Sequence, residues 1–237
     1  MKENCYIKSI PSIDEPLCYF EKNFINSEFV EIVSNDYIDV QLQYPLMGMK
    51  NAEQSCLLRK EVYERLLDAA KKLPKGYKIR ILDAWRPFGL QEELYDKYSR
   101  EIILAQGLES VSEEERNAVI RKYISEPKMD RTFPPVHTTG GAVDVTLLDC
   151  EGNELNMGTE FDSFSDETHT AFFEMEGSVE IRNNRRLLYN VMISAGFTNL
   201  PSEWWHYDYG NRFWAYYLQK PSLYRGVFTL EEMYEKN

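Results

Sequence analysis

Histidine is scarce in this sequence, three in 237 residues, and cysteine is nearly so, at four. Cys5, Cys18, Cys56 and Cys150 show no Cys-x-x-Cys spacing, which excludes a zinc module closed by thiolates. No stretch approaches the ~20 apolar residues of a membrane span. The segment from Met1 to Lys8 lacks the apolar run of a signal peptide. The expected location is therefore cytoplasmic, with reduced thiols and no membrane partner. Basic residues are in the minority, 27 Lys and Arg against 39 Asp and Glu, for a formal net charge of −12. Phosphate backbones are bound by clustered Lys and Arg, so a nucleic-acid partner is excluded. Repeats and biased segments are also missing, and residues 1–237 are expected to form a single globular domain.

Two of the three histidines fall in one constellation: His137-Thr-Thr-Gly-Gly-Ala-Val-Asp144, followed by Glu203-Trp-Trp-His206. Two neutral imidazoles and a carboxylate can occupy three tetrahedral positions on Zn²⁺ and leave the fourth for a water made acidic by the metal. That is the donor set of a catalytic zinc site, with one zinc per chain on His137, Asp144 and His206, and Glu203 left over as a spare carboxylate. A bare His-x6-Asp pattern is by itself weak. Gly140-Gly141 strengthens it, because glycines let the backbone turn tightly beside a ligand.

The order His-x-x-Gly-x-Ala-x-Asp, then Glu-x-x-His, resembles the zinc D-alanyl-D-alanine metallopeptidases. Asp83-Ala-Trp-Arg86-Pro87 narrows the resemblance to the VanX-type D-alanyl-D-alanine dipeptidases, and it runs from about Tyr77 to about Gly210. Met157-Gly-Thr-Glu-Phe-Asp162 and the stretch from Asn184-Arg-Arg to Phe197 match the family in order and approximate spacing. The resemblance implies a zinc peptidase of hedgehog-like fold that cleaves a small D-amino-acid dipeptide, in wall turnover or glycopeptide resistance. It makes Glu203 the general base, Arg86 the stabiliser of the oxyanion, Asp83 the residue orienting Arg86, and Asp162 the acid that receives the substrate ammonium. Bland readings stand beside these: Arg86 as a plain ion-pair partner of Asp83, Glu203 and Asp162 as solvated acids, His169 as an exposed histidine of a polar stretch. Asp162 matches with a spacing from Asp144 about one residue short. Pro135 stands where the family commonly has serine. The family's tyrosine at the substrate amine is replaced by Leu42 or displaced to Tyr44. These departures bear on substrate identity rather than on the chemistry.

Along the chain, 37–42 reads as a strand, and 52–73 as a helix with Leu57, Leu58, Val62, Leu66, Leu67 and Ala70 on one face. A strand is expected from Tyr77, a helix over 89–105, and a further helix opened by a capping box at Ser112 and Glu115 and closing before Pro127. Residues 107–134 read as an insertion-like hairpin or lid. His137 then follows on a loop, with a buried strand over 142–148. A helix is expected over 184–195 with Gly196 at its C-cap, and a strand over 204–209. In a regular strand, residues three apart face opposite ways. Glu203 and His206 can thus meet only if 201–203 forms a loop or bulge. These elements predict an α+β fold, and the resemblance implies a central, mainly antiparallel sheet flanked by helices. Two rivals remain: a D,D- or L,D-carboxypeptidase acting on peptidoglycan stem peptides, and a non-catalytic zinc-bearing peptide-binding protein.

Overall fold

Alternation in Ala142-Val-Asp-Val-Thr-Leu-Leu148 sends Val143, Val145 and Leu147 to one face and Asp144 and Thr146 to the other, and this strand is the centre of the molecule. The computed structural model describes residues 8–16, 21–121, 124, 126–131, 133–175 and 177–234. Cys5, Cys18 and all but the last residue of the Met1 to Lys8 segment lie outside the described residues.

In chain order the elements are β1 (Phe29–Glu31), β2 (Ile38–Val40), α1 (Gln43–Leu46), β3 (Leu57–Arg59), α2 (Lys60–Ala70), β4 (Lys78–Asp83) and α3 (Phe88–Ala105). They continue with α4 (Glu113–Ile120), β5 (Ala142–Leu148), α5 (Val179–Ser194), β6 (Thr198–Asn199), β7 (His206–Asp208), α6 (Arg212–Leu218) and α7 (Leu230–Tyr234). The main sheet runs β2-β4-β5-β7-β6, and only its β2/β4 pair is parallel. β1 and β3 form a separate antiparallel pair. The architecture is thus α+β with a mainly antiparallel sheet, as expected.

One face of the sheet presents Ile38, Ile79, Ile81, Val143, Val145, Leu147 and Tyr207. Val62, Leu66, Ala69 and Ala70 of α2, with Leu188, Val191 and Met192 of α5, pack on it and seal the core. Each of the valine, leucine, isoleucine and methionine side chains, fully buried, contributes roughly 1.5–3 kcal/mol of transfer free energy. The opposite face carries the polar residues of the same strands, and the site is built there.

Three expectations need correction. Leu57 and Leu58 belong to β3, not to a helix: their backbone pairs with Glu31 and Val30 of β1, a long-range ladder that helical spacing could not reveal. α5 begins at Val179, five residues before the expected Asn184, because the Ser178 hydroxyl accepts from Ile181 N and caps it there. Of the strand expected over 204–209 only 206–208 is extended. Trp204 N donates to Thr168 O across to another loop, so Trp204 and Trp205 sit in a turn. Residues 107–134 carry α4, opened as expected by the capping box of Ser112 and Glu115, and Ile124 packs on the cluster of Tyr44, Leu90, Leu94 and Tyr98. Residues 122, 123, 125 and 132 of that segment lie outside the described residues.

Candidate metal centre and its surroundings

Strand register brings the carboxylates and one histidine together. Asp144 on β5 has Asp83 of β4 as its neighbour on one side and His206 of β7 on the other. Asp83 reaches this row only through an irregularity between Ile81 and Asp83. By strict alternation it would share the core face with Ile79 and Ile81, and the extra residue turns it to the polar face. His137 arrives from a 3-10 turn, Val136–Thr139, ended by Gly140 at φ 69°. A Cβ on Gly140 would lie 2.3 Å from the Phe29 ring, and one on Gly141 2.4 Å from Tyr209 O. Both glycines are therefore required by close approach, and Gly140 by its left-handed backbone as well.

The ligand atoms converge. His137 Nε2 lies 3.2 Å from His206 Nδ1 and 3.5 Å from Asp144 Oδ1, and His206 Nδ1 lies 3.0 Å from that same oxygen. These spacings are close to the ~3.3 Å edge of a tetrahedron with metal–ligand bonds of ~2.0 Å. The outward ring nitrogens fix the tautomers. His137 Nδ1 is 2.8 Å from Ala84 O, which can only accept, so Nδ1 carries the proton and Nε2 presents a lone pair inward. His206 Nε2 faces Asp208 Oδ1 at 3.1 Å, which turns Nδ1 inward. Two inward nitrogens and a buried carboxylate oxygen face one another, and a cation between them satisfies all three. The donor set and spacing fit zinc.

Electrostatics agree. Burial works against the Asp144 carboxylate, but His137 and His206 hold it well below the usual range. Burial likewise opposes charge on His206, yet Asp208 and Asp144 raise its imidazole well above the ordinary value: the pocket favours a positive charge there.

Glu203 sits in the turn before β7, where Asn199 Nδ2 and His206 N both donate to its carbonyl. The turn undoes strand alternation, and Glu203 Oε2 comes within 3.9 Å of His206 Nδ1. Burial of its carboxyl pushes the pKa up to about 7, with Asp144 and Asp162 adding and His206 and Arg86 opposing. The side chain keeps 34% of its surface open on the cleft, so water reaching it moderates that rise.

Arg86 is buried at the end of β4. Its Nε and Nη2 donate to Asp83 Oδ2 at 3.0 and 2.9 Å, Nη1 donates to Gln91 Oε1, and Nη2 also donates to Tyr44 Oη. Nη2 is 3.7 Å from Asp144 Oδ2, which couples this group to the metal centre. Tyr44 in turn donates to Asp162 Oδ2 at 2.7 Å, and Tyr98 of α3 donates to the same oxygen at 2.6 Å. Of the two positions considered for the amine-site tyrosine, Tyr44 lies against Asp162, whereas Leu42 packs on the main core. His137, Asp144, His206, Glu203, Arg86, Asp83 and Asp162 thus occupy one continuous site, and exposed His169 stays outside it.

Sequence reasoning missed Asp208 and Tyr98. Asp208 follows His206 by two residues in a strand and so had to share its face, a signal that was present. Nothing local links Tyr98 on α3 with Asp162.

A family model described as D-ala-D-ala dipeptidase matches residues 46–222. A D-alanyl-D-alanine dipeptidase of Synechocystis sp. is 31% identical over 177 residues, covering 68% of this chain and 72% of that protein. A D-alanyl-D-alanine dipeptidase of Escherichia coli (strain K12) is 29% identical over 178 residues, covering 72% and 78%. One from Enterococcus faecium is 30% identical over 140 residues, covering 55% and 66%.

Proposed function

The chain belongs to the D-Ala-D-Ala dipeptidase family of metallopeptidases, and from that premise we propose that it hydrolyses free D-alanyl-D-alanine or a close D-amino-acid dipeptide, using one zinc ion. The observation that carries this reading is the convergence of His137 Nε2, Asp144 Oδ1 and His206 Nδ1 beside a carboxylate and a guanidinium that complement an amide under attack. Zinc held by these three residues would polarise the scissile carbonyl and acidify a nearby water. Glu203 accepts the proton of the attacking water and returns it to the leaving amine. Asp83 pins the Arg86 fork; four of its five N–H groups go to Asp83, Tyr44 and Gln91, and the remaining Nη1 hydrogen is available to the developing oxyanion. Both tyrosine hydroxyls donate to Asp162 Oδ2, so Oδ1 is the oxygen offered to the substrate ammonium.

Substrate size tests the reading. An N-acetyl dipeptide cannot form the ammonium pair and leaves the Asp162 carboxylate unmatched, at about 2–5 kcal/mol. Free D-Ala-D-Ala is expected to be cleaved far faster than its N-acetyl form, and Asp162→Asn to narrow the gap by slowing the free dipeptide most. Equal specificity constants for the two substrates with the unaltered protein would overturn the dipeptidase reading and favour a carboxypeptidase acting on longer stem peptides.

A second expectation concerns Asp208, which holds His206 through Nε2 while Asn211 Nδ2 donates to Asp208 in turn. Carboxylates behind a metal-bound histidine fix its orientation and raise its basicity. Asp208→Ala is expected to weaken zinc binding by about 10–100-fold in chelator competition. Unaltered affinity would remove Asp208 from this role.

A further inference from the structure

Asn184 and Arg185 lie in a stretch matched to the family by sequence, yet neither touches the zinc ligands, Glu203, Arg86 or Asp162 through a hydrogen bond. Arg185 projects from α5 into the interior at 2% exposure. Its guanidinium donates to three backbone carbonyls, each at 2.7 Å: Nε to Met157 O, Nη1 to His169 O and Nη2 to Glu167 O. Its faces lie over the rings of Phe173 and Trp204, at 4.7 and 5.9 Å. Asn184 Nδ2 adds a bond to Asn156 O at 2.9 Å. Two consecutive side chains of one helix therefore grip both ends of the segment 156–169, and Asp162 sits between those ends at φ 60°.

That segment also leans on the turn carrying Glu203. Thr168 O accepts from Trp204 N at 3.0 Å, Thr168 Oγ1 donates to Ser202 O at 2.8 Å, Thr170 N donates to Pro201 O at 2.8 Å, and Trp204 Nε1 donates to Thr159 Oγ1 at 2.8 Å. Phe161, next to Asp162, packs edge-on against Trp205 with ring centres 5.5 Å apart.

We infer that Arg185 is a positioning residue that sets the separation between Asp162 and Glu203, and through it the length of peptide that fits between ammonium site and general base. The inference rests on the roles given to Asp162 and Glu203 above. Its physical basis is the planar fork: three carbonyls in different directions are satisfied at once by one rigid cation, which a compact ammonium on a flexible stem cannot match. Loss of the fork leaves Met157 O and Glu167 O without their donor, while His169 O keeps Phe172 N, and the segment relieves this by shifting and carrying Asp162 with it. The zinc ligands stand on β5, β7 and the 136–139 turn, none of which Arg185 touches through these bonds.

The test uses Arg185→Lys and Arg185→Met in the full chain. Zinc content, melting temperature, and kcat and KM for D-Ala-D-Ala and N-acetyl-D-Ala-D-Ala are measured. The expected result is full zinc occupancy with a higher KM for the free dipeptide and a free-to-acetyl ratio of specificity constants lower by about 10–100-fold, the scale of a misplaced reacting group. A purely structural arginine would lower the melting temperature and leave that ratio intact, which would overturn the inference. So would loss of zinc along with all activity. If the unaltered protein shows no preference for the free dipeptide, the role of Asp162 fails first and this inference with it; a preference present in the parent and kept by the variants overturns this inference alone. Should Arg185→Met not fold, Arg185→Lys and Thr168→Val, which cuts the tie to Ser202, carry the same comparison.

Discussion

Glu203→Ala protein is expected to keep its zinc and to turn over the free dipeptide about 10²–10⁴ times more slowly, the range for losing a positioned acid–base group. The atoms placed to hold a metal belong to His137, Asp144 and His206, and Glu203 Oε2 stands 3.9 Å from the His206 ring nitrogen, beside the cluster rather than within it. Its carboxyl is pushed up to about 7 by burial, so its carboxylate is basic enough to draw a proton from an activated water. A bound cation would pull that value back down, which keeps the group ionised at neutral pH. Glu203→Gln, of nearly the same shape, should fall as far as the alanine variant, because the lone pair and not the volume is what is lost. Metal analysis and kcat on the same preparations decide the matter; turnover within a few-fold of the parent would leave the proposed base without a function.

His137→Ala and His206→Ala should lose both zinc and activity, and chelation of the parent should reproduce that loss reversibly. Zinc added back should restore the parent and not the variants. The histidine at 206 should be the more damaging site for the fold. Its removal leaves Asp144 and Asp208, both buried, facing an uncompensated gap. Breaking such a buried set typically costs about 3–5 kcal/mol, so the melting temperature should drop along with the metal. At 137 the lost contacts are the backbone carbonyl of Ala84 and the longer ones to Asp83 Oδ2 and Asp144 Oδ1, at 3.3 and 3.5 Å; Asp83 keeps its bonds from Arg86, so the penalty is smaller. Full zinc occupancy in the double variant would remove these residues from the metal centre.

Tests of this kind separate the proposed ligands from the proposed base because the two kinds of residue lie on different local structures. His206 is in β7, held in register with Asp144, while Glu203 belongs to the turn before it. That turn answers a geometric demand legible in the sequence: residues three apart cannot share a strand face, and Pro201 offers a place for the break.

Short-range signals made much of the chain legible. β4, α3, the capping box of α4 and β5 depend on alternation, periodicity or a side chain reaching its own backbone, all of which lie within a few residues. His137, Asp144, Glu203 and His206 were recognisable because few side chains can bind a divalent ion and share a site with a base. Tertiary structure decided the rest. Whether Leu57 and Leu58 are helix or strand depends on β1, nearly thirty residues away at Val30, and on the buried Arg59 that follows them. The row Asp83, Asp144, His206 exists because three strands from distant parts of the chain adopt one register, and because an irregularity in β4 turns Asp83 from the core to the site. Tyr98 joins Asp162 only through the packing of α3, and Arg185 finds its three carbonyls only once α5 docks on the segment 156–169. The sequence by itself determined which groups could do the chemistry, because that rests on residue type. Their placement within a few ångströms of one another was decided by strand register and helix docking, which depend on contacts between residues far apart in the chain.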